Sequence, residues 1–366
     1  MILDDLVPAL ITATRPPLET TDALLAAGVS RPVFACLWPE TRAIAERLWA
    51  ALPLGLAERL YGEPYLGGQD LLHEAFLEGW LAWRRGVVSF DAAEFPHRYA
   101  TAGSSEAIRE CLAHFAVTRW RRARPPVLHV FDGEYEGYAA VAEGYGVRVE
   151  RHERARWRDS FRRGAGRVGG GDLVMLSQPS AIDGNLWRDL DAFLRLLESE
   201  RPDARVAVDL TYVGTVARPF EIALGSPVVD TVFFSLSKVF GVYYHRVGGV
   251  LSRRPMPGIV GTRWFKNSFS LELGRELLAQ LPPSAIPGRY AARQTEAVAA
   301  VRAALGAPLE PSDVVLLAHH PWRPGLPATV APLRRAGTVR YCLTPTLDRL
   351  LRAHPVPPTP TAAPTA

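Results

Sequence analysis

The chain has 366 residues, 48% of them hydrophobic, and a formal charge of +4 from 42 basic and 38 acidic residues. That is enough chain for one large core with a smaller satellite domain. The basic residues are interspersed with acidic ones, as where Glu153 and Asp159 interrupt the arginines of residues 151–167, and no recognition motif accompanies them, so nucleic acid is not expected as a partner.

Cys36, Cys111 and Cys342 are widely spaced and odd in number, which argues against a disulfide scaffold and a zinc cluster; no metal is expected, and a reducing cytoplasm is the expected location. The N-terminus carries acidic residues where a secretory leader has basic ones, and no stretch reaches the roughly 20 apolar residues of a bilayer span, so no membrane is expected either.

Residues 1–60 read as mixed extended and helical segments, with helical apolar spacing over residues 40–60 interrupted by Pro53 and Gly55. The run TAGSSEAIRECLAHFAVTRW reads as a loop and then a helix capped near Ser104 or Ser105, with Glu106 and Glu110 in its early turns. Short apolar runs follow, PVLHVF, DLVMLSQP, VAVDLTYVG and VVDTVFFSLSK, alternating with helical stretches such as DLDAFLRLLES. This alternation predicts an α/β fold with a mostly parallel sheet between helices and a ligand site beyond the carboxyl ends of the strands. A break near residues 255–290 precedes a long helix over YAARQTEAVAAVRAAL and a short α+β domain, and the proline-rich tail is expected to be disordered. The expected organisation is a 1–60 segment contributing to the small domain, a 61–285 large domain, a 286–353 connecting helix with an abbreviated C-terminal domain, and the 354–366 tail.

The chemistry concentrates in SLSKVFGVYYHRVGGVL, which places Ser235, Ser237, Lys238 and Arg246 in one strand-to-loop segment. A lysine beside a cationic group among apolar neighbours has a depressed pKa and a free amine for imine formation; the alternative is a surface or structural lysine. Asp209 follows an apolar strand, where a buried carboxylate needs a charged partner such as a protonated pyridine nitrogen, unless it caps the turn. Tyr212, three residues on, can donate to a phenolic oxygen. The helix start with Ser104 and Ser105, the hydroxyls of Ser235 and Ser237, and the guanidinium of Arg246 are three anchors for a phosphate, although a serine pair also serves as a simple cap. Tyr135 can stack on a flat heterocycle, with Tyr138 behind it, or belong to ordinary packing. Arg340, inside a short extended run, can bind an α-carboxylate or form an internal salt bridge. A lysine, an aspartate and a phosphate anchor so arranged are what a pyridoxal 5'-phosphate (PLP) site needs.

Together these residues resemble the aspartate aminotransferase superfamily, the fold type I PLP-dependent enzymes, over about residues 61–350. SLSKVFGVYYHRVGG resembles the family's lysine segment, with Lys238 in the Schiff-base position and Ser235 and Arg246 in phosphate-binding positions. The resemblance implies a three-layer sandwich with a second, smaller domain. It implies that Asp209 holds the pyridine nitrogen, Tyr212 the phenolic oxygen, Tyr135 the ring face and Arg340 the substrate carboxylate. Ser104 and Ser105 would lie in the phosphate loop. It also implies a homodimer with shared active sites, in which Tyr61, or failing it Tyr65, reaches the neighbouring subunit's phosphate. Where the family carries Asn-Pro-Thr-Gly this chain has SQPSAIDGNLW, so Ala181 stands at the asparagine position and Asn185 is the candidate replacement. The implied activity is transamination of a specialised amino acid with a keto acid as second substrate; the rival is a β- or γ-eliminating lyase or replacement enzyme.

Overall fold

Seven strands form the central sheet of the computed structural model, which describes residues 18–61, 67–118, 125, 127–162, 169–283 and 285–355. They are β1 (His97–Thr101), β2 (Val127–Phe131), β3 (Arg148–His152), β4 (Leu173–Ser177), β5 (Arg205–Asp209), β6 (Val229–Ser235) and β7 (Gly248–Ser252), in the order β1-β7-β6-β5-β4-β2-β3. The pairs from β6 through β3 are parallel, and β7 alone runs against its neighbours, so β1 and β6 end at the same edge as the parallel strands. Every residue of β2, β4 and β5 is buried, as expected of parallel strands covered on both faces. One face packs Trp80, Phe193 and Phe234, and the other packs Ile108, Phe115 and Phe233.

The principal helices are α1 (Pro39–Tyr61), α2 (Gly67–Arg84), α3 (Ser104–Thr118), α4 (Glu136–Gly144), α5 (Leu190–Glu200), α6 (Ser268–Gln280), α7 (Ala285–Leu305) and α8 (Thr344–Ala353). A smaller antiparallel sheet, in the order β8 (Glu310–Pro311), β9 (Leu317–Pro321), β11 (Thr338–Cys342), β10 (Arg334–Arg335), lies in the C-terminal part. The expected α/β architecture with a second, smaller α+β unit is therefore present. The expected interruption at Pro53 and Gly55 is not: α1 runs unbroken through both. A proline inside a helix removes one backbone bond, and the packing of α1 on α2 and α6 holds the helix through it. Among the described residues, no helix is long and apolar enough to cross a membrane. Residues 356–366 of the proline-rich tail lie outside the described residues.

A buried polar chain ties the β2 side of the sheet together. Asp172, just before β4, accepts the backbone N–H of Val127 at 2.9 Å and of Gly169 at 2.6 Å, and meets His129 Nε2 at 3.1 Å. His129 Nδ1 in turn lies 2.9 Å from His152 Nε2 on β3. Burial opposes ionisation of Asp172, but the bonds from His129 and the two amides outweigh it and hold the carboxyl below its ordinary value. Asp172→Ala is expected to destabilise the fold by about 3 kcal/mol, read as a lower urea midpoint. Because the folded pKa is depressed, this contribution is present above the unfolded carboxyl value of about 3.9 and is lost as pH falls through the folded one.

Candidate active site

The carboxyl edge of the sheet opens into a cavity of about 350 Å³ whose lining includes Tyr135, Asp209, Tyr212, Lys238, Arg246 and Arg340. Ser104, Ser105, Ser235 and Ser237 line it as well. Residues far apart in the chain meet here because β1, β4, β5 and β6 end side by side, with Ser177 opposite Asp209 and both Thr101 and Ser235 opposite Gly248.

Part of the lining is an anion cradle. Gly103 has φ +76, and a Cβ there would sit 2.7 Å from Arg246 Nη2. A Cβ on Gly248 would lie 2.9 Å from Gly103 Cα, so these two positions let the loop before α3 pass close over the sheet. The first amides of α3 face the same space as the Ser235 and Ser237 hydroxyls, which are hydrogen-bonded to each other at 2.9 Å. Arg246 adopts a left-handed backbone, φ 51, and its Nη2 donates to Ser105 Oγ and to the Ala102 carbonyl, both at 3.2 Å. Such a conformation costs a non-glycine residue about 1–2 kcal/mol, and here it aims the guanidinium at the helix start.

Glu106 accepts the Ala102 N–H at 2.6 Å and so shapes the cradle, but a carboxylate there would repel a bound anion. Lys266, with only 5% of its side chain exposed, forms an ion pair with it and cancels that charge. Of the 42 basic residues only Lys238 and Lys266 are lysines. That scarcity is a signal sequence reasoning missed: where arginine is the default cation, both retained lysines belong to the site or its support.

Asp209 accepts from Tyr138 Oη at 2.9 Å on Oδ2, and from the Thr211 N–H at 2.9 Å and Thr211 Oγ1 at 2.5 Å on Oδ1, and the same Thr211 hydroxyl lies 2.9 Å from Ser104 Oγ of the cradle. No cation pairs with it among the described residues, and burial raises its pKa against these hydrogen bonds. Tyr135 is 45% exposed and meets Tyr138 edge-on, with ring centroids 5.5 Å apart. Tyr212 is buried, which pushes its pKa up to about 12. The Lys238 amine donates to the Val33 carbonyl; burial, reinforced by Arg340 and Arg246, brings it down to about 8. Arg340 is buried and donates to the carbonyls of Ala181 and, at 3.3 Å, Arg31, with no carboxylate partner among the described residues. Burial, and then the neighbouring Arg335, bring its pKa to about 10.

The structure does not bring Asn185 to this cavity. Its Oδ1 accepts the Asp313 N–H at 2.9 Å and its Nδ2 lies 3.3 Å from His319 Nε2, so it joins its loop to the small sheet and is not a replacement for an asparagine at Ala181. Tyr61 ends α1 with its side chain outside the described residues, as is all of Tyr65. Four contributors were not anticipated: Thr211, the Glu134–Ser177 pair, the Glu136–Arg335 ion pair at 2.5 Å, and the wall formed by Pro32, Val33, Phe34 and Ala35. That wall is held by backbone bonds between Ser30 and Cys342.

No family model matches the sequence, and no curated protein matches it. Solved structures do match in fold. An Escherichia coli protein with methionine aminotransferase function shares 17% identity over 92% of this chain and 97% of its own, with a TM-score of 0.59. An L-threonine-O-3-phosphate decarboxylase from Porphyromonas gingivalis shares 15% over 88% and 98%, with a TM-score of 0.58. A PLP-bound C–S lyase from Staphylococcus hominis shares 11% over 87% and 85%, with a TM-score of 0.60. The chain has the fold of these proteins, the fold type I architecture, and three different reactions are run on it.

Proposed function

We propose that this chain is a PLP-dependent enzyme acting on an amino acid, and that it transfers the amino group to a keto acid. The observation that carries the reading is that Lys238, the anion cradle, Asp209 and Arg340 all line one cavity. The residues fit the cofactor: Asp209 is a buried carboxylate without a cationic partner among the described residues, the cradle is an anion site built from amides, hydroxyls and a guanidinium, and Lys238 is an amine lining the same cavity. When bound, PLP supplies an electron sink for charge developing at the substrate's α-carbon.

In this reading Ser104, Ser105, Ser235, Ser237 and Arg246 hold the phosphate, and Tyr135 covers the ring. Asp209 keeps the ring nitrogen protonated, and Tyr212 donates to the phenolic oxygen. Arg340, whose present partners are carbonyls, takes the substrate carboxylate in a bidentate bond and fixes which α-substituent faces Lys238. Lys238 would be the base that takes the proton from the substrate's α-carbon and holds it on its amine for return to the carbon that receives the electrons of that C–H bond. The 61–285 and 286–353 domains, the homodimer with shared sites, and Tyr61 reaching the neighbouring phosphate belong to the same reading.

The test is product analysis of the PLP-loaded protein across a panel of amino acids. A keto acid with conversion of the cofactor to its amine form is the expected result. Release of ammonia or thiol with the cofactor unchanged would replace transamination by elimination, and carbon dioxide release would replace it by decarboxylation.

A further inference from the structure

Behind the cavity wall lies a carboxylate that the proposed chemistry does not use. Glu134, immediately before Tyr135, is buried against Ser177 at the end of β4. Ser177 Oγ donates to Glu134 Oε2 at 2.5 Å, the Ser177 N–H donates to Glu134 Oε1 at 3.2 Å, and the Ala181 N–H donates to Ser177 Oγ at 2.6 Å. Ser177 lines the cavity and stands directly opposite Asp209 in the β4–β5 register.

A hydroxyl has one hydrogen and two lone pairs, and here they can be counted. With Glu134 ionised, the hydrogen goes to Glu134 and one lone pair to Ala181, so Ser177 shows the cavity only a lone pair. With Glu134 neutral, the carboxylic O–H fills the second lone pair, and the serine hydrogen turns into the cavity. Ser177 and Asp209 end adjacent strands in register and line the same cavity, so both side chains can reach one cofactor held there.

We propose that Ser177 is a positioning residue for the cofactor, switched by a proton on Glu134: it donates from β4 to the ring's phenolic oxygen when Glu134 is neutral and withdraws when Glu134 ionises. The proposal rests on the cofactor reading above. Ala181 cannot make this contact with its methyl group, but its N–H holds the serine that does. The groups facing Glu134 are Arg154, which favours its charge, and Asp209 and Tyr138, on the cavity side. Burial dominates and pushes Glu134 up to about 7, where the proton exchanges near neutrality.

The experiment is a pH titration of the visible absorption of the lysine-bound cofactor in the wild type, Ser177→Ala and Glu134→Gln. A donor to the phenolic oxygen favours the form whose lysine nitrogen has lost its proton, so Ser177→Ala is expected to raise the midpoint by about one pH unit. Glu134→Gln, whose amide donates permanently to Ser177 Oγ, is expected to lower it. Equal midpoints in all three proteins would overturn the proposal and leave the cofactor reading standing, and the same holds if the variants lose only thermal stability. A wild type that forms no visible band with PLP would overturn both. If Ser177→Ala does not fold, the sign of the Glu134→Gln shift decides.

Discussion

Replacing Lys238 with alanine is expected to abolish covalent capture of PLP, and with it turnover. The loss of its proton-transfer role alone amounts to about 10²–10⁴-fold. The chain makes the measurement unusually clean, because Lys238 and Lys266 are its only lysines. Borohydride reduction of the PLP-loaded protein followed by peptide mass mapping should find the cofactor on Lys238 in the wild type and in Lys266→Ala, and on neither lysine in Lys238→Ala. An adduct on Lys266 would overturn the assignment. The neutral amine is the nucleophile, so adduct formation should accelerate as pH rises through about 8 and level off above it. The same depression has a thermodynamic sign. Unfolded Lys238 titrates at about 10.4, so between the folded and unfolded values the unfolded chain holds more protons, and the apoprotein should gain stability as pH rises through that window.

Asp209 stands out in the sequence because it closes a strand that is buried on both faces and so written as an apolar run, and Lys238 because it follows Ser-Leu-Ser among largely apolar neighbours, eight residues before Arg246. Ser235, Ser237 and Arg246 were legible within that same short segment. What could not be read belongs to contacts that leave no trace in side-chain type. The carbonyls of Val33 and Arg31, which meet Lys238 and Arg340, are backbone atoms, and any residue could have supplied them. Glu134 reaches Ser177 only because the loop after β2 folds across the end of β4, and Glu136 meets Arg335 only because β10 lies over the start of α4. Asn185 shows the reverse error. Its residue type suited a cofactor contact, but the turn after Gly184, φ +77, directs it to Asp313 and His319. Pro53 likewise looked like a helix end when judged locally, and the packing of α1 on its neighbours carried the helix through.

Asp209 should be the second indispensable group, and the shape of its loss is specific. In Asp209→Asn the side chain keeps its volume, and the amide oxygen can remain where Thr211 donates from its N–H and hydroxyl. The amide nitrogen then occupies the Oδ2 position, and the Tyr138 hydroxyl, which donates there now, must reverse to accept. The pocket survives, but the ring nitrogen meets a donor in place of a carboxylate. A buried cation stripped of its partner costs about 3–5 kcal/mol, so the protonated ring is lost and turnover should fall by roughly 10²–10⁴-fold. Cofactor retention should change far less, since Arg246, Ser105, Ser235 and Ser237, which would hold the phosphate, make no bond to Asp209. Tyr138→Phe removes one hydrogen bond from the carboxylate while keeping its charge, and its effect should stay within about tenfold. Turnover and PLP dissociation measured on both variants decide the matter. A large loss in Asp209→Asn with a small one in Tyr138→Phe assigns the function to charge at Oδ2. Equal losses would mean that the geometry of the hydrogen-bonded carboxyl, and not its charge, is what the site requires.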